Sequence, residues 1–246
     1  MDKTAYQEFA KERLGFEFNN IDLLITALTH RSYVNEHKQT HQHNERLEFL
    51  GDAVLELVSS DFLYRKYNEP EGIMTAQRAA LVRTESICEA GKELGYEPLV
   101  RLSRGEQNGS ERAHDAILAD CFEAVIGAIY LDQGYDVARD FIAKHILVKI
   151  DMIREEGLWR DPKSYLQEIS QKFDAVVPTY KTIKEDGPDH DKTFTVGVYI
   201  KNESIGTGVG HSKQEAQTVA AREGIKAYKK KYPRDDFKEW EEIDAV

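Results

Sequence analysis

Apolar residues recur at helical spacing through most of the first 150 positions. Such repeats, three and four residues apart, cover 21–34, 45–67, 74–95, 115–131 and 136–154. Alternating runs of β-branched residues are nearly absent from this part of the chain. Helix ends are expected at three glycines, Gly95, Gly105 and Gly134. Residues 1–154 are therefore predicted to form an all-α domain.

The pattern changes in the last third of the chain. Asp161 and Pro162 are typical of the N-cap and first position of a helix. Strand patterns follow at 179–184, 193–200 and 205–209. Ser212 then begins a second long helix. Residues 161–231 therefore predict a small α+β domain of order α-β-β-β-α, and residues 232–246 form an acidic tail.

The charge distribution agrees with this division. Residues 1–160 carry 28 acidic and 19 basic side chains, whereas 161–232 carry 10 acidic and 12 basic ones. The total of −11 argues weakly against a polyanionic partner, but nucleic-acid contacts depend on local charge. The two cysteines cannot form a disulfide framework, and the sequence contains neither a signal-peptide pattern nor an apolar run long enough for a membrane span. We expect a cytoplasmic protein with no membrane partner.

Two predicted helices carry acid pairs among apolar residues. Glu48 and Asp52 are four residues apart, and Asp120 and Glu123 interrupt the apolar run from Ile117 to Leu131. Burying an unpaired carboxylate costs several kcal/mol, and two facing pairs would repel each other. A hard divalent ion such as Mg²⁺ relieves that repulsion. The pairs therefore predict buried acids that converge on a metal site.

The alternative is that nearby arginines neutralise these acids and that the pairs are structural. Arg46, Arg78 and Arg83 are the candidates. The histidines at 37, 41 and 43 also suggest a zinc site, but polar neighbours and distant cysteines favour a solvated loop. His30 is interpreted as a packed or hydrogen-bonded residue at a helix end rather than a general base.

The acid motifs also carry a family resemblance. The segment from Glu45 to Ala53 is similar to the signature of bacterial ribonuclease III. Further family blocks occur in the expected order, at 29–32, 71–72, 103–106 and 118–124. The resemblance implies a metal cluster formed by Glu48, Asp52, Asp120 and Glu123, with Asp52 and Glu123 catalytic. It also makes Glu45 and Glu71 possible cleft residues.

The last domain resembles the double-stranded-RNA-binding domain. Residues 206–213 and the pair Ala220-Ala221 are similar to its final signature. The resemblance implies that Gln167 and His190 reach minor grooves and that Lys213 contacts phosphates. One departure is that Lys213 is followed by glutamine and glutamate rather than by further lysines, which weakens the expected phosphate contacts.

The resemblance as a whole implies a Mg²⁺-dependent endonuclease, with Mn²⁺ as a substitute, that acts on double-stranded RNA as a homodimer. It further implies 5′-phosphate and 3′-hydroxyl ends, and a role in processing ribosomal RNA precursors and some messenger RNAs. A dimeric RNA-binding protein without catalysis is the main alternative, although the presence of all four acids argues against it. A metal-dependent phosphohydrolase acting on small substrates is the third possibility.

Overall fold

The computed structural model describes residues 3–37, 39, 42–188 and 192–232. The chain divides into two compact units, Met1–Trp159 and Arg160–Val246. The division lies between the two predicted domains, in the segment 155–160. Each unit has its own cluster of buried apolar side chains.

The described part of the first unit is helical. Its α-helices are α1 Thr4–Phe9, α2 Ile21–Ala27, α3 Arg31–Glu36, α4 Glu45–Lys66, α5 Glu71–Leu81, α6 Thr84–Leu94, α7 Arg104–Gln107, α8 Glu111–Gln133, α9 Tyr135–His145 and α10 Ile150–Glu155. A π-helical turn, Ala10–Leu14, continues α1, and 3-10 turns lie at Glu97–Leu99 and Leu147–Lys149. No helix formed by the described residues is long and apolar enough to cross a membrane.

Helix α8 forms the centre of this unit. Helix α4 packs along α8, and Phe122 and Ile126 of α8 and Leu55 of α4 are completely buried. Tyr96 is also buried, and its hydroxyl donates to the carbonyl oxygen of Leu118 at 2.6 Å. The long apolar run of α8 is thus explained by burial on most sides rather than on one stripe.

Several helices differ from the sequence prediction. The predicted helix 21–34 is two helices, because Thr29 leaves helical geometry to form an isolated parallel bridge with Arg101. The predicted helix 74–95 is also two, with extended backbone at Arg83 between them. Gly105 lies inside α7 instead of ending a helix, whereas Gly95 and Gly134 are C-caps as predicted. The helical segment 4–14 was not predicted.

The second unit has the predicted order α-β-β-β-α. Its elements are α11 Pro162–Asp174, β1 Thr179–Asp186, β2 Thr193–Ile200, β3 Glu203–Gly210 and α12 Lys213–Lys231. The strands form an antiparallel sheet in the order β1-β2-β3. Tyr165 and Leu166 of α11 pack with Val198 of β2 and Ala220 of α12. Asp161 and Ser212 cap the two helices as predicted, each accepting a backbone N–H bond.

Candidate active site and nucleic-acid interface

A close backbone crossing positions the acid motifs. A Cβ atom on Gly51 would overlap the carbonyl oxygen of Glu123, and one on Gly127 would overlap that of Leu47. Helices α4 and α8 can therefore approach this closely only because both positions are glycine. Glu48 lies almost one turn before Gly51, and Glu123 one turn before Gly127. The crossing consequently brings the two acid motifs together.

Three of the four predicted metal ligands form one cluster. Carboxylate oxygens of Glu48, Asp120 and Glu123 all lie within 4.8 Å of one another. The three side chains are only partly buried, whereas the sequence predicted buried acids. They therefore lie at the edge of the core and are partly accessible to solvent. Glu48, Asp120 and Glu123 together form the acid cluster.

Asp52 is exposed on α4 and lies outside the acid cluster. It is nevertheless close, because its negative charge raises the pKa values of both Glu48 and Glu123. The structure therefore groups three of the predicted ligands tightly and places the fourth beside them.

The environment of the acid cluster disfavours ionisation of all its carboxyl groups at once. Burial, followed by the charges of Asp52, Asp120 and Glu48, raises the pKa of Glu123 to about 8. Burial and the charge of Asp120 also raise the pKa of Glu48. Burial raises the pKa of Asp120, although His30 opposes that change. At neutral pH and without a cation, the cluster therefore retains a proton that isolated carboxylates would lose.

The alternative of neutralisation by arginine is not what the structure shows. Arg78 pairs with Glu56 at 2.7 Å and donates to Ser60 at 2.8 Å. Within residues 3–37, 39, 42–188 and 192–232, no lysine or arginine forms an ion pair with Glu48, Asp52, Asp120 or Glu123. A group of carboxylates without a basic partner fits a hard divalent cation, which prefers oxygen ligands.

Glu45 borders the cluster without belonging to it. Its carboxylate pairs with Arg31 at 3.2 Å and lies 3.8 Å from the His43 ring. The charge of Glu45 still raises the pKa values of Glu48 and Asp120.

His30 caps α3, since its Nδ1 atom accepts the backbone N–H of Ser32 at 3.3 Å. This confirms the interpretation of a hydrogen-bonded residue at a helix end. Its electrostatic contact with Asp120 was not predicted.

The sequence reasoning also missed Asn44. This buried residue donates from its backbone to Thr29 at 2.9 Å and from its side chain to the Cys121 sulfur at 3.6 Å. It thereby fixes the start of α4 against the residue beside Asp120. The available signal was its place directly before the acid motif.

Glu71 and His37 are not members of the acid cluster. Glu71 begins α5, accepts a hydrogen bond from Thr75 at 3.1 Å and lines a cleft of about 440 Å³ with Leu57 and Tyr64. It does not join the acid cluster of its own chain. His37 stacks on Tyr33, whereas His41 lies outside the described residues.

The second unit exposes a polar surface made by its two helices. Lys163 and Gln167 are one turn apart on α11, and Lys213 and Gln217 are one turn apart on α12. The Lys163 ammonium donates to the Gln217 side chain at 2.7 Å, which connects the two pairs. Gln167 and Lys213 therefore flank one surface. Lys163 was not predicted, and His190 lies outside the described residues.

Lys213 is already engaged at the start of α12. Its ammonium forms a 2.8 Å ion pair with Glu185 and lies over the Phe194 ring. Glu215 occupies the same helix start, where it accepts the backbone N–H of His211 at 2.8 Å. The predicted shortage of free positive charge here is thus accompanied by two nearby carboxylates.

Comparisons with known proteins agree with both units. Residues 20–150 match the family model described as Ribonuclease-III-like, and residues 162–228 match the double-stranded RNA binding motif. Among curated relatives, Ribonuclease 3 of Desulforamulus reducens is 46% identical, covering 87% of this chain and 88% of its own. Ribonuclease 3 of Enterococcus faecalis is 45% identical, covering 88% and 95%.

A solved structure is also similar to the first unit. It is the nuclease domain of ribonuclease III from Campylobacter jejuni, which is described as structurally flexible in a region involved in dimer formation. The similarity has a TM-score of 0.51 and 38% identity, and it covers 56% of this chain and 96% of that one.

The helical unit with its acid cluster, followed by an RNA-binding unit, thus has the architecture of a double-strand-specific nuclease. The chain belongs to the ribonuclease III family. It is a ribonuclease III-type endoribonuclease whose partner is double-stranded RNA.

Proposed function

We propose that the chain hydrolyses phosphodiester bonds of double-stranded RNA at the acid cluster, with Mg²⁺ as the preferred ion and Mn²⁺ as a substitute. The observation that carries this proposal is the convergence of three carboxylates, with a fourth beside them, and no basic residue paired with any of them among the described positions. Glu48, Asp52, Asp120 and Glu123 would hold the ion. When bound, a divalent cation supplies Lewis acidity there.

The protein residues have distinct roles in this proposal. Glu123 would be one of the ligands of the cation, and it would give up its proton there, because a nearby positive charge would lower its pKa from about 8. Asp52 is exposed beside the cluster, so its carboxylate can orient the attacking water toward phosphorus. The oxygen of the water forms a bond to phosphorus while the bond from phosphorus to the 3′ oxygen breaks. The water loses a proton in this step, and the leaving 3′ oxygen takes up a proton. The products carry a 5′-phosphate and a 3′-hydroxyl.

We propose that the active form is a homodimer. Phe49, Leu57 and Tyr64 are spaced by eight and seven residues, so they lie along one side of α4. Their exposed fractions, 80%, 58% and 75%, are high for large apolar side chains. Two of them line the cleft beside Glu71. A second copy covering this side would bury the apolar residues and bring Glu71 to the dimer interface.

The second unit would hold the duplex by its shape. Gln167 and Lys213, together with His190, would contact 2′-hydroxyls and phosphates across the shallow minor groove. Such contacts do not depend on base sequence. We propose that natural substrates are duplex regions of ribosomal RNA precursors and some messenger RNAs, and that the protein works in the cytoplasm.

A cleavage assay tests the proposal. End-labelled duplexes of RNA, DNA and RNA–DNA hybrid would be incubated with the full chain, with Mg²⁺ or with a chelator. We expect cutting of the RNA duplex in Mg²⁺ only, poor cutting of the hybrid and none of the DNA. Binding without cutting would favour the non-catalytic alternative. Equal hydrolysis of RNA and DNA would favour a general metal hydrolase.

A further inference from the structure

Glu185 lies where it can compete with RNA for the second unit's lysines. It is the next-to-last residue of β1 and is paired in register with Phe194 of β2, which in turn is paired with Gly210 of β3. The chain continues from Gly210 into α12, so Glu185 and the start of that helix lie at the same end of the sheet. The ion pair between Glu185 and Lys213 follows from this register.

One carboxylate serves two lysines at this end. Glu185 contacts Lys213 at 2.8 Å and Lys192 at 3.5 Å. Its pKa is lowered, chiefly by the hydrogen bond from Lys213, so it stays ionised across the neutral range. Lys213 is 57% exposed and Glu185 36% exposed, which leaves the pair open to solvent and to a polyanion.

An exposed ion pair of this kind contributes little to folding stability. The pair affects polyanion binding more than it affects folding stability, because a phosphate must displace the Glu185 carboxylate before it can pair with the Lys213 ammonium. The phosphate also approaches a negative charge that no longer has its partner.

We infer that Glu185 is an internal competitor for RNA phosphate, and that it sets the affinity of the second unit below what its lysines alone would give. This inference rests on the proposed contact between Lys213 and RNA. Affinity then depends on an exchange of one anion for another at Lys213.

The magnitude follows from counterion release. Each added phosphate contact changes the slope of log K against log salt by about −0.9. One contact therefore raises affinity about eightfold at 0.1 M salt, relative to 1 M salt where the contribution vanishes. Removing the Glu185 charge should recover much of one such contact.

The experiment compares Glu185→Gln with wild type by fluorescence anisotropy on a labelled RNA duplex, using the full chain with Ca²⁺ or a chelator in place of Mg²⁺. Glu203→Gln is the matched control, because it removes the same charge from the opposite end of the sheet. Glu203 pairs with Ile200, six residues along β2 from Phe194. That separation is about 20 Å, beyond the ~8 Å screening length at physiological salt.

We expect Glu185→Gln to bind the RNA duplex about three- to eightfold more tightly than wild type at 0.1 M salt, with a steeper dependence of affinity on salt. Glu203→Gln should bind like wild type. In a Lys213→Gln background the gain should shrink. Unchanged or weaker binding by Glu185→Gln would overturn the inference, the latter because it would show that the carboxylate positions Lys213. Equal gains from both glutamine variants would also overturn it. Wild-type protein that binds no RNA duplex at low salt would instead overturn the proposed function.

Discussion

Replacing Glu123 by glutamine should change how the stability of the metal-free protein depends on pH. The folded-state pKa of Glu123 is about 8, whereas the ordinary value is 4.5. Between these values the folded protein holds a proton that the unfolded chain has lost. Stability of the wild type must therefore fall as pH rises from about 4.5 to about 8.

The size of this effect can be bounded. The whole difference between the folded-state and ordinary pKa values of Glu123 corresponds to about 5 kcal/mol in the free energy of unfolding, at about 1.36 kcal/mol for each pKa unit. Because Glu123 is partly exposed and its shift is shared with three other acids, we expect about 2 kcal/mol. Glutamine keeps the shape but cannot ionise, so the variant avoids this loss. Its advantage over wild type should grow from near zero at pH 5 to about 4–8 °C in Tm at pH 8.

Thermal melts followed by circular dichroism, with a chelator at pH 5, 6.5 and 8, measure this advantage. Glu93→Gln, which replaces an exposed acid on α6, is the control and should follow the wild type at each pH. Parallel pH profiles for wild type and Glu123→Gln would refute the reasoning, because they would show that Glu123 carries no excess proton in the folded state.

Other predictions concern the crossing, the domains and RNA contact. Gly51→Ala should destabilise the first unit by about 3 kcal/mol and abolish cleavage, because the added Cβ overlaps α8. Gly105→Ala, whose Cβ meets only an ordinary contact, should melt like wild type. Equal melting temperatures for the two variants would contradict the close crossing of α4 and α8. Truncation after Glu156 should leave a folded nuclease unit that cleaves RNA at low salt but loses activity at a lower ionic strength than the full chain does. Identical salt profiles of cleavage for the truncated and full chains would show that the second unit does not bind substrate. Gln167→Ala should weaken RNA binding without moving the cut positions on a sequencing gel, and shifted cuts would show that the second unit selects the scissile bond.

The sequence could predict the features that depend on residues close together along the chain. Asp161 and Ser212 cap helices because a short side chain meets backbone N–H groups only three residues away, and such contacts depend little on the rest of the fold. The acids could be found because four carboxylates in apolar helices are chemically unusual. Both inferences needed only neighbours along the chain.

Contacts between distant parts of the chain determine the features that the sequence did not predict. The break at Thr29 depends on a bridge to Arg101, more than 70 residues away, and no glycine or proline marks it. The depth of Glu48 and the exposure of Asp52 depend on how α4 meets α8. The pairing of Glu185 with Lys213 depends on strand register, which includes an irregularity between Thr182 and Lys184. None of these can be read from one segment alone.

In the proposed function, the acid cluster performs the cleavage and the second unit holds the RNA. The most direct test measures binding and cleavage of one labelled RNA duplex by wild type and Glu123→Gln in saturating Mg²⁺. We predict that the variant binds the duplex as tightly as wild type but cuts it slower by orders of magnitude. Cleavage at a near wild-type rate would contradict the assignment of the acid cluster as the active site.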